Sequence, residues 1–92
     1  MQFTNEEIEF LSRNLEEITK FQTQQVLSCR GHAVEIFGPY EMAEMCKRNS
    51  ERRLELVRRL GSRRSFHHAH VIECCIERLN RVIGEQCQEE QF

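Results

Sequence analysis

The chain has 92 residues and a mass of 11.0 kDa, of which 39% are apolar and 30% charged, the balance of a globular domain rather than a disordered chain. One domain of this size buries only about 60–65% of its unfolded surface and has no room for a separate cofactor domain, which excludes a large enzyme. The formal charge of −2 combines a Glu-rich start and end with an Arg-rich middle. There is no apolar run long enough to span a bilayer, and the opening MQFTNEEIEF is acidic where a secretory leader is basic and then apolar. These features predict a cytoplasmic protein with no membrane partner.

All fifteen acidic residues are Glu, a better helix former than Asp. The first helix, about residues 4–29, opens on a capping box: the Thr4 hydroxyl is placed to accept the Glu7 N–H while the Glu7 carboxylate reaches back to Thr4, with Phe3 and Ile8 at the staple positions. Ile8, Leu11, Leu15, Ile18 and Val26 recur at helical spacing, widened by Phe10 and Phe21, and Glu9, Arg13, Glu16 and Lys20 lie opposite. Gly31 is expected to end this helix. Residues 32–38 form a connector with Val34 and Ile36 as anchors, in either helix or strand conformation.

Gly38-Pro39, followed by Glu41 and Glu44, predicts a second helix over about 39–60 that stops at Gly61. Its inward line holds Met42, Ala43, Cys46, Leu54, Val57 and Leu60, interrupted by Asn49, Ser50 and Arg53. Ser65 is placed to cap a third helix over about 65–83, whose core face is Ala69, Ile72, Cys75, Ile76, Leu79 and Ile83 and whose stop is Gly84. Residues 85–92 read as a polar C-terminal tail, leaving 1–84 as one helical domain.

Three amphipathic helices joined by short Gly-containing turns predict an all-α antiparallel three-helix bundle, or a helical hairpin plus a third helix. The apolar stripes of the first and third helices span about 140–160°, wider than the roughly 100° that covers one side of a core. This width predicts a homodimer or higher homo-oligomer.

Cys46 to Arg64 carries eight Lys or Arg against Glu51 and Glu55, while residues 1–28 and 73–92 are net acidic. Arg suits bidentate phosphate contacts, so Arg52, Arg53, Arg59, Arg63, Arg64, His67 and His68, at the junction of the second and third helices, are a candidate anion or partner site for nucleic acid, a nucleotide or a phosphorylated small molecule. Glu44–Arg48 and Glu55–Arg59 are equally i,i+4 pairs, and acidic neighbours suit a basic helix, so the cluster also fits a solvated face with pairing between helices. No aromatic residue is interleaved with the arginines to stack bases. Arg53 projects inward and needs a pair or a route to water; His68 projects inward as a core histidine or the partner of a Glu on the first helix.

His67, His70 and Cys74 share one face of the third helix, with Cys29 and His32 as further ligand types, but the spacing matches no established zinc motif, and no metal or cofactor is assigned. The five cysteines are odd in number, which predicts free thiols in a reducing compartment. A Cys74–His70 nucleophile has no evident oxyanion donors, so the expectation is a non-enzymatic interaction protein, an adaptor, regulator or inhibitor, with a protein partner. The alternative is the anionic-ligand binder.

Overall fold

A computed structural model describes residues 3–28, 39–60 and 63–90, with the side chains of 3–28, 41–60 and 65–84. The described residues form three helices, α1 (Asn5–Ser28), α2 (Pro39–Leu60) and α3 (Arg63–Glu90), and no strand. Its extents are 51 × 22 × 19 Å, and its radius of gyration of 15.0 Å exceeds the roughly 12 Å of a compact chain of this length. The excess follows from helix length, since the 28 residues of α3 alone span about 42 Å at 1.5 Å per residue.

α1 begins as its sequence dictates. The Thr4 N–H donates to Glu7 Oε1 at 3.0 Å and the Glu7 N–H donates to Thr4 Oγ1 at 3.1 Å, which satisfies donors that the first turn leaves without partners. α2 begins at Pro39, where a missing N–H costs nothing. Gly31, Gly61 and the connector 32–38 lie outside the described residues.

α3 departs from expectation at both ends. It starts at Arg63, so Ser65 is a buried residue of its first turn rather than its cap. It also runs through Gly84 to Glu90 instead of stopping at 83, carrying part of the expected tail as helix. Gly84 does not adopt a left-handed conformation, and a Cβ placed there meets nothing within 4 Å. A glycine in that setting lowers helix propensity by about 1 kcal/mol without ending the helix.

The helices run up, down and up. Leu54 and Val57 of α2 pack on Ala69 and Ile72 of α3, while Ala43 and Cys46 meet Leu79 and Val82, so these two helices are antiparallel. Val26 of α1 joins the cluster at the Ala43 end. The other cluster receives only the half-buried Leu15 from α1. The core is therefore chiefly an α2–α3 hairpin, and α1 is held differently.

Between Ile8 and Val26, the buried residues of α1 are Ser12, Glu16, Thr19 and Thr23. This corrects the expected orientation. Glu16, placed opposite the apolar stripe, is buried, whereas Phe10 is 66% and Phe21 65% exposed and Ile18 is nearly half exposed. The line of buried residues still follows steps of three and four, so the helix is regular; it is rotated so that a polar line faces the hairpin.

Two local features reduce the cost of this interior. Thr19 Oγ1 donates to the Leu15 carbonyl and Ser50 Oγ to the Cys46 carbonyl, each at 2.7 Å, so both buried hydroxyls are satisfied within their own helices. Thr23 Oγ1 lies 3.9 Å from Cys46 Sγ across the α1–α2 seam.

Candidate functional site

Two polar anchors fix α1, and both use residues that the sequence marks as candidate site residues. Arg53 leaves the inner face of α2 and donates to Gln22 Oε1 at 2.8 Å and Thr19 Oγ1 at 3.4 Å. Burial pushes the Arg53 guanidinium below its ordinary value, with the nearby Cys46 opposing that shift. The guanidinium remains a cation at neutral pH, and its donors point at α1 rather than at an open cleft.

The second anchor joins α3 to α1. His68, with a side chain only 7% exposed, donates from Nε2 to Glu9 Oε1 at 3.1 Å, because an ionised carboxylate has no proton to give. Its Nδ1 lies 3.4 Å from Glu16 Oε2 without hydrogen-bond geometry, and Ser12 Oγ, one turn from Glu16, is buried with no hydrogen-bond partner among the described residues. The hydrogen bond from His68 is the main cause of a lowered Glu9 carboxyl, and partial burial opposes it. The neighbouring His67 is exposed, lies 4.0 Å from Glu16 and meets the His68 ring edge-on at 5.5 Å.

The seven candidate residues thus separate. Arg53 and His68 reach different stretches of α1, Arg59 pairs with Glu55 of its own helix at 2.9 Å, and Arg52 and His67 are exposed. The side chains of Arg63 and Arg64 lie outside the described residues. Elsewhere in the basic segment Arg58 pairs with Glu73 of α3, and Lys47 lies 4.0 Å from Glu51. At these exposures each such pair contributes well under about 1 kcal/mol.

His70 Nε2 and Cys74 Sγ lie 3.8 Å apart on the exposed face of α3. Among the described residues no group of three His, Cys, Asp or Glu is arranged to hold a metal ion. Cys29 and His32 lie outside the described residues. Cys46, Cys74 and Cys75 are free thiols, and burial pushes the Cys75 thiol above its ordinary value of 9.0, with a hydrogen bond to Thr23 as a smaller opposing effect.

The feature that sequence reasoning misplaced is the outer face of α1. Phe3, Phe10 and Leu11, with Thr4, Glu6 and Glu7, line an open groove of about 440 Å³ at the start of the helix. Phe21 and Ile18 continue the apolar line toward its C-terminal half. The signal was present as the excessive width of the stripe: one apolar helix carries two faces, and the bundle covers only one edge of it. None of the described helices is long and apolar enough to cross a membrane.

Comparison with known protein families, curated proteins and solved structures finds no match to this chain.

Proposed function

We propose that this chain is a small non-enzymatic helical interaction protein, an adaptor, regulator or inhibitor, that binds a macromolecular partner through the outer face of α1. The observation that carries this reading is the rotation of α1: Ser12, Glu16, Thr19 and Thr23 face inward while Phe10, Phe21 and Ile18 face outward. Leaving Phe10 wet forgoes burial of roughly 130 Å² of side chain, about 3 kcal/mol, and Phe21 forgoes the same. A partner that covers the face recovers this free energy.

Polar anchors suit such a role. Arg53 and the His68–Glu9 contact orient α1 by geometry, leaving its largest apolar groups available for docking. The charge segregation of the surface then favours partners of complementary potential and repels others. The proposed setting is the cytoplasm, with no cofactor required.

A photo-crosslinking residue at Phe10 tests the reading in cells, with the exposed Lys20 as control. The expected result is a discrete adduct from position 10, lost when Phe21→Ser is added, and none from position 20. Equal adducts from both positions, or none from either, would overturn the reading.

A further inference from the structure

The groove at the start of α1 and the aromatic side chain at its far end are matched in spacing. The groove is lined from Phe3 to Leu11 and centred near Glu7. Phe21 lies fourteen residues beyond Glu7, two heptads along the same face. Phe3 and Phe10, Leu11 and Ile18, and Asn14 and Phe21 are each seven apart, so these side chains form one seam able to follow a partner helix.

We propose that the partner on this seam is a second copy of the chain, with the two α1 helices antiparallel about a two-fold axis at Asn14. This inference rests on the reading of the outer face of α1 as a docking surface. An axis at Asn14 sets Glu7 opposite the partner's Phe21 and Phe10 opposite the partner's Ile18. Each copy then supplies the aromatic ring that fills the other's groove, the reciprocity that a two-fold interface requires.

Charge fixes the direction. Glu6, Glu7 and Glu17 are exposed along this face. Parallel helices in register would set Glu7 against the partner's Glu7 and Glu17 against the partner's Glu17, whereas the antiparallel pairing sets Glu7 beside an aromatic ring and Glu17 beside the partner's Leu11. At the axis the two Asn14 amides face each other and can exchange hydrogen bonds, a contact that selects one register.

The exposed apolar side chains supply a large share of the area such an interface needs. At their observed exposures, Phe3, Phe10, Ile18 and Phe21 offer roughly 430 Å² of apolar surface per copy. That is more than half of the about 800 Å² each partner contributes to a stable interface, before the stems of Glu7, Asn14 and Glu17 are counted.

Sedimentation equilibrium over the micromolar range, with circular dichroism to confirm folding, tests the proposal. Twice the 11.0 kDa chain mass is expected for the wild type. Phe21→Ser should weaken association at least about tenfold while leaving helicity intact. In a background of Cys29→Ser, Cys74→Ser and Cys87→Ser, Asn14→Cys should oxidise to a linked dimer and Lys20→Cys should not. A wild-type monomer, a dimer indifferent to Phe21→Ser, or equal oxidation at positions 14 and 20 overturns the proposal. If the wild type is monomeric while the Phe10 crosslink captures a different protein in a Phe21-dependent way, the self-pairing fails and the docking face stands; if the crosslink also captures nothing, both fail.

Discussion

Replacing His68 with Leu keeps a side chain of similar bulk in the α1–α3 seam but removes both ring nitrogens. Glu16, whose side chain is 10% exposed, then keeps only the exposed His67, 4.0 Å away, within reach, and Glu9 loses its hydrogen-bond donor. Leaving a nearly buried carboxylate such as Glu16 without the donor groups beside it costs up to about 3 kcal/mol. In a domain of this size that corresponds to a fall in Tm of roughly 10–20 °C and consumes a large part of a total stability of about 5–15 kcal/mol. Adding Glu16→Met removes the stranded carboxylate, so the double variant should recover to within about 1 kcal/mol of wild type. Urea titration followed by circular dichroism measures both, with an unchanged slope as the sign that only stability has moved. A His68→Leu variant within about 0.5 kcal/mol of wild type, or a double variant no better than the single, would refute the anchor as described.

The same contact sets an acid limb. The folded Glu9 carboxyl sits below its ordinary value of 4.5, chiefly through His68, so its contribution is present above that value and is lost as pH falls through the folded value. His68→Leu should flatten the fall of the urea midpoint below about pH 4.5. Glu7 is lowered in the same direction by the Thr4 backbone and hydroxyl, so Thr4→Ala, which removes the hydroxyl, should shrink the acid limb and cost about 1 kcal/mol at neutral pH. Gly84→Ala should stabilise by about 0.5–1 kcal/mol, since the position is helical and its Cβ meets nothing; a loss would mean that Gly84 ends the helix after all. Cys74 should react with a maleimide within the mixing time while Cys46 and Cys75 react only on opening, and equal rates would place the buried thiols at the surface.

Much of the fold is written in local patterns. The capping box at Thr4 and Glu7 forms with both its hydrogen bonds, α2 covers Pro39–Leu60, and its inward face is broken by Ser50 and Arg53 as its periodicity requires. The inward direction of His68 was legible too, because Ala69, Ile72 and Leu79 define that face of α3 without ambiguity.

The orientation of α1 was not legible, and the reason is physical. A hydrophobic pattern reports where apolar groups lie on a helix, whereas burial also depends on what the neighbouring helices offer. Here α2 offers Arg53 and α3 offers His68, and each draws toward itself the polar groups of α1 that satisfy it: Thr19 and Gln22 for the one, Glu9 and Glu16 for the other. Gly84 differs for a related reason, since a glycine ends a helix only where the chain turns, and α3 continues through it to Glu90.

The central claim is that α1 presents its hydroxyl-bearing line inward and its aromatic line outward, and thiol labelling reads it directly. Thr19→Cys and Phe21→Cys, each in the Cys29→Ser, Cys74→Ser, Cys87→Ser background and at a dilution that disfavours association, are treated with a maleimide under native conditions. The account predicts protection at position 19 and rapid modification at position 21. The reverse order would show that the aromatic stripe is the buried face and would contradict both the rotated helix and the docking surface built on it.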